Sequence, residues 1–177
     1  MSGDDVRAPV RVVVGVSGSL GSVTALCRGA AEARRRGAEL WPVLVWEPPG
    51  GELAARRSAA SMLLVDAWQG PARQRLLEVL DEVFGDAGPG VPLHGLVIRG
   101  TPGPSLVETA DREDDVLVVG AGRRGWHRAF SGRVARYCLS HAHCPVLAVP
   151  PSPLEAALAS AHRRNSWHLP LDSRQLS

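Results

Sequence analysis

Glycines and arginines, with no acid among them, are the residues of this 177-residue chain best placed to do chemistry. Gly120, Gly122, Gly125 and Gly132 fall between Val116 and Val149, and Arg123, Arg124, Arg128, Arg133 and Arg136 are interleaved with them. From Val116 to Leu154 there is no Asp or Glu. Glycine lets backbone amides approach an anion, and guanidinium groups without acidic neighbours add charge-assisted hydrogen bonds to it. The pattern indicates a phosphate-like ligand. It indicates no reaction.

Other chemistries fit less well. Gly120-x-Gly122-x-x-Gly125 matches the dinucleotide fingerprint as a string. That fingerprint needs the first strand of a nucleotide-binding half and an acid about 20 residues later for the ribose. Here the glycines follow the fourth apolar run and the next acid is Glu155, which argues against NAD or FAD. A phosphate cradle and a plain turn both remain open for these glycines. Ser131 is a candidate cap for a helix opening at Gly132-Arg133, whose free amides would face the loop. Trp126 lies in the same loop as a candidate ring for stacking on a ligand, against the default of packing. Cys138, His141, His143 and Cys144 are close in sequence but hold no intact Cys-x-x-Cys pair. Core packing with a free thiol is preferred to zinc there. No Gly-x-Ser-x-Gly elbow is present and no histidine has an orienting partner, so no catalytic residue and no metal ligand is assigned.

The elements that must position these groups alternate. Val10–Val16 is a β-branched run that reads as a buried strand. The turn Ser17-Gly18-Ser19-Leu20-Gly21-Ser22 offers Ser19 and Ser22 as helix caps. Leu26, Ala30 and Ala33 give the next helix one apolar face, and Arg34-Arg35-Arg36-Gly37 stops it. Leu40–Trp46 is the second strand, followed by a loop to about Ala60. A helix between Ser61 and Phe84 buries Leu76, Leu77, Leu80, Val83 and Phe84. Leu93–Ile98 is the third strand, and Thr101-Pro102 opens a short helix through Ala110. Asp111–Asp115 is an acidic turn before the fourth strand, Val116–Val119. Val134, Tyr137, Cys138 and His141 form one stripe of the following helix. Val146–Val149 is the fifth strand. Strands alternating with helices require a doubly wound α/β fold, a parallel sheet covered by helices on both faces.

Residues 10–150 form this domain, between a polar extension at 1–9 and a C-terminal extension at 151–177. Ser152-Pro153-Leu154-Glu155 in the latter matches a capping box and predicts a short helix before a polar tail. Apolar residues make up 45% of the chain and charged ones 21%, ordinary for a globular domain. A net charge of +2 gives no argument for nucleic acid or a membrane as partner. All 20 basic residues are arginine, which excludes a P-loop lysine and a Schiff base. Three cysteines without framework spacing, an acidic polar N-terminus and no long apolar run predict a cytoplasmic protein.

From Val10 to Pro150 the chain resembles the universal stress protein family. Val12-Val13-Val14-Gly15-Val16-Ser17-Gly18-Ser19 is similar to its first strand and turn, Val116–Gly120 with the later glycines to its nucleotide loop, and His141–Val149 to its last helix and strand. The resemblance implies five parallel strands in the order 3-2-1-4-5, and a homodimer through the last strand, Val146–Val149. One branch of the family binds ATP through Gly-x2-Gly-x9-Gly-Ser/Thr, with an Asp after the first strand near the ribose. In this chain Ser17 stands at the Asp position and Arg133 at the hydroxyl position. The span from Gly120 to Gly132 is one residue shorter than the motif, so its second glycine is Gly122 or Gly125 after a shift. Carried over, the adenine side is Gly15, Val16, Ser17 and Val45. The phosphate side is Gly120, Gly122, Arg123, Gly125, Gly132 and Arg133. The reading is a regulatory protein binding an adenine nucleotide, ATP, and acting as a regulator rather than an efficient enzyme. Its rivals are an interaction protein docking an acidic partner and, third, a nucleotide phosphate hydrolase.

Overall fold

Val12, Val13 and Val14 have no solvent exposure, because they lie in the central strand of a sheet covered on both faces. A computed structural model describes residues 8–48, 59–122 and 132–152. In chain order its elements are β1 (Arg11–Val16), α1 (Leu20–Arg36), β2 (Glu39–Trp46), α2 (Ala59–Phe84), β3 (Leu96–Arg99), α3 (Pro102–Thr109), β4 (Val116–Gly120), α4 (Arg133–His141) and β5 (Val146–Val149). The five strands pair in the order β3-β2-β1-β4-β5, all parallel. The expected doubly wound architecture and strand order are therefore both present.

Alternation along β1 divides the core. Val12, Val14 and Val16 face Leu26, Ala30 and Ala33 of α1 and Leu76 and Val79 of α2. Val13 faces the other way, with Val43, Leu117 and Val119, onto Leu106 of α3 and Ala135 and Cys138 of α4. Helix α1 is capped by Ser19, whose hydroxyl accepts from the Ser22 amide at 3.3 Å. It ends at Gly37, left-handed at φ 61°, with the Ala38 amide donating to the Ala33 carbonyl at 2.9 Å. The basic last turn is partly neutralised by Glu32, which pairs with both Arg35 and Arg36.

Three sequence expectations are corrected. The third strand begins at Leu96 rather than Leu93, which makes only a lone bridge to Leu40. Leu77 is 52% exposed, and Val79 takes the place on the buried face of α2 that was assigned to it. His141 leaves the apolar stripe: its exposed ring stacks on Tyr137 at 4.0 Å between centroids while Cys138 points inward. Among the described residues no helix is long and apolar enough to cross a membrane. The expectations for residues 1–7, the loop at 49–58, and the helix and tail from Pro153 onward lie outside the described residues.

Candidate functional site

In a parallel sheet all carboxyl ends open on one rim, and a ligand crevice forms where the strand order reverses. Here the reversal lies between β1 and β4, which are adjacent in the sheet. At the end of β1 the chain turns through Ser17, Gly18 and Ser19, with Gly18 at φ 71°. The Ser17 and Ser19 hydroxyls are 3.0 Å apart and both residues are exposed. At the end of β4, a Cβ on Gly120 would stand 3.2 Å from the Gly21 carbonyl oxygen. The first turn of α1 therefore lies directly against the end of β4, and glycine is what permits that approach. The two strand ends form one locus.

The two described ends of the glycine loop meet beside it. Gly122 is at φ 79° and Gly132 at φ 92°. A Cβ on Gly132 would come within 2.9 Å of the Ala121 carbonyl oxygen. The Ala121 amide donates to Val149 at 2.7 Å, which fixes the exit of β4 against β5. Gly132 is also the N-cap of α4 and, being glycine, brings no side chain of its own to cap that helix. Its first-turn amides thus open toward the place where the two ends of the loop meet, and partial positive charge accumulates there. Arg133 follows as an exposed residue.

The other predicted site residues divide by what their side chains face. Ser17 is exposed at the rim. Val16 is buried among the α1 and α2 side chains, so only its backbone reaches the rim. Gly15 lies beneath α3, where a Cβ would meet Leu106 at 2.9 Å; its small size serves packing there. Val45 is half-buried and packs with Leu96 and Ile98 on the α3 side. The structure therefore gathers Ser17, Gly120, Gly122, Gly132 and Arg133 at the rim, while the Gly15, Val16 and Val45 positions serve packing on the two faces of the sheet. Arg123, Gly125, Trp126 and the cap expected at Ser131 lie outside the described residues.

The Cys-His cluster separates. Cys138 and Cys144 are buried in the α3-side core, whereas His141 and His143 are exposed. Burial pushes the Cys138 thiol up to about 11 and raises Cys144 as well, which keeps both protonated at neutral pH. Among the described residues no three His, Cys, Asp or Glu side chains converge as metal ligands.

Two groups were not singled out from the sequence. Arg75, from α2, rests on the Ser17–Gly18 turn, its Nε and Nη2 each 3.4 Å from a carbonyl oxygen of that turn. At the opposite edge of the sheet Arg11 donates through Nε to Asp115 Oδ1 at 2.9 Å and through Nη2 to Oδ2 at 2.5 Å. Nη2 also reaches Asp111 at 2.6 Å, and the guanidinium lies 5.0 Å over the Trp41 ring. Hydrogen bonding to Asp115 holds Arg11 charged. Local periodicity reveals neither group, because the partners are 57 or more residues apart.

A family model described as "Universal stress protein family" matches residues 10–150. The universal stress protein MJ0531 of Methanocaldococcus jannaschii is 39% identical over 62 residues, spanning 34% of this chain and 36% of that protein. Among solved structures, a universal stress protein in complex with cAMP is 26% identical with a TM-score of 0.60, covering 82% of this chain and 100% of that one. UspA from Lactobacillus plantarum is 23% identical with a TM-score of 0.59, covering 81% and 99%. At that identity the second likeness speaks for the fold alone.

Proposed function

The chain belongs to the universal stress protein family, and from that premise we propose that it is a regulatory protein that binds an adenine nucleotide, with ATP as the first ligand to test. One observation carries the reading. Gly120 and Gly122 on one side and Gly132 on the other meet at the switch point, in an acid-free stretch, with the first turn of α4 opening from Gly132. Such a cradle suits the phosphates, with Arg133 adding charge. The turn after β1 then takes the sugar and base. The similar structure that holds cAMP supports the adenine class.

A binding role fits better than a hydrolytic one. Asp111, Asp114 and Asp115 precede β4, so they sit at the opposite edge of the sheet from the glycine cradle, and Asp115 is already paired with Arg11. These three carboxylates therefore offer no base to a phosphate held there. We further infer a cytoplasmic homodimer joined along the β5 edge.

Isothermal titration with ATP and ADP tests the reading, together with mass spectrometry of nucleotide released from freshly purified protein. Heat of binding with a Kd below about 1 mM, or about 4 kcal/mol, is the expected result. No heat and no co-purified nucleotide would favour the alternative, an interaction protein whose arginines dock an acidic partner. In that case Arg123→Glu with Arg124→Glu should abolish partner capture.

A further inference from the structure

Among the described residues, Arg75 is the cation that α2 carries onto the candidate site. It stands in α2, and its guanidinium reaches over the turn that ends β1. Both of its hydrogen bonds there are 3.4 Å, at the outer limit for such contacts. They anchor the group loosely. Among the described residues no carboxylate pairs with it. The turn is also shaped to receive it. A Cβ on Gly18 would lie 2.5 Å from Nε, 2.7 Å from Nη2 and 2.8 Å from Cζ, so any other residue would displace the guanidinium.

We propose that Arg75 makes this site selective for adenine nucleotides that carry a phosphate on the ribose 2′ or 3′ oxygen. The inference rests on the nucleotide reading above. A nucleotide lying across β1 and β4 with its 5′-phosphate at Gly120–Gly132 sets its sugar against the Ser17–Gly18 turn. An acid at such a position accepts hydrogen bonds from ribose hydroxyls, whereas an arginine accommodates a ribose phosphate. Ser17 brings no acid, and Glu47 follows β2, one strand further from the switch point. Arg75 instead presents a planar cation able to bind two phosphate oxygens. A second phosphate would exchange its two long carbonyl contacts for short charge-assisted ones.

The test is titration of the full chain with 5′-AMP, adenosine 2′,5′-bisphosphate and adenosine 3′,5′-bisphosphate, in the wild type, Arg75→Gln and Arg75→Lys. We expect one bisphosphate to bind the wild type about tenfold or more tightly than 5′-AMP, a gap of about 1.4 kcal/mol. Arg75→Gln should bring that ratio to about one and leave 5′-AMP affinity within about twofold, while Arg75→Lys keeps part of the preference. A wild-type ratio near one, or a preference that survives Arg75→Gln, overturns this inference and leaves the nucleotide reading standing. Failure of the wild type to bind any of the three overturns this inference, and failure to bind ATP as well overturns both.

Discussion

Arg11 and Asp115 show how much one pair can matter. Asp115 has no solvent exposure and Arg11 very little, so each depends on the other to leave water. Arg11→Ala strands a buried carboxylate and should cost about 3–5 kcal/mol in chemical denaturation. The double change Arg11→Met with Asp115→Leu should recover most of that loss, since neither charge is then buried. Asp111 behaves differently, being mostly exposed. Its hydrogen bond to Arg11 holds its carboxyl below the usual range. A depressed carboxyl stabilises the fold above its unfolded value and loses that contribution as pH falls through its folded value. Asp111→Asn should therefore lower Tm at pH 7, with the two melting curves converging below about pH 4. The cysteines give a third expectation at this scale. Cys27 is exposed whereas Cys138 and Cys144 are buried and held protonated. Iodoacetamide at pH 7.5 should modify Cys27 alone in the native protein, and all three after denaturation.

At the scale of the element, α1 is the piece that brings the two halves of the rim together. Its seat depends on Gly29, where a Cβ would drive into the Val14 side chain, and on the approach of Gly21 to Gly120. Gly29→Val should cost about 1–3 kcal/mol by overpacking, read as a lower denaturation midpoint. It should also weaken nucleotide binding, because the turn after β1 moves with the helix. Most of this framework was legible in the residues. The runs Val12–Val16, Val43–Trp46 and Val116–Val119 are apolar on both faces, as a covered parallel strand must be. Ser19 and Gly37 mark the limits of α1 through their capping chemistry. What escaped was tertiary. Leu77 continues an apolar stripe, yet α2 turns it to water, and periodicity cannot tell which edge of a broad stripe the sheet covers. Leu93 reads as strand because its neighbours are apolar, but only its backbone bridges Leu40. The glycine cradle was visible as composition. The meeting of Gly132 with Ala121 was not, since it depends on where α4 returns to the sheet.

Across the whole molecule, charge and hydrogen bonding are distributed unequally over the two ends of the sheet. The amino edge is locked by Arg11, Asp111 and Asp115, with Trp41 beneath the guanidinium. The carboxyl rim carries glycines and loosely held cations instead. Rigidity at one end and unspent hydrogen-bonding capacity at the other are what a fixed scaffold for a ligand requires. Among the described residues β5 pairs with β4 alone, as β3 does with β2, and so presents an open edge. Bare edges are normally blunted by charge or proline. Within Val146–Val149 this one has neither. The Pro145 carbonyl accepts from Leu117 of β4 and the Val149 carbonyl from Ala121 just beyond it, so by alternation the Ala148 amide faces away from the sheet. Ala148→Pro removes that outward donor without touching the β4 ladder. If two copies join here, light scattering should show a dimer for the wild type and a monomer for Ala148→Pro, with far-UV circular dichroism unchanged. A wild-type monomer at about 100 μM, or a variant that stays dimeric, would move the interface elsewhere. Because Val149 also anchors Ala121 at the mouth of the glycine loop, loss of the dimer should in addition loosen the cradle and weaken nucleotide binding by about two- to fivefold, or about 0.4–1 kcal/mol.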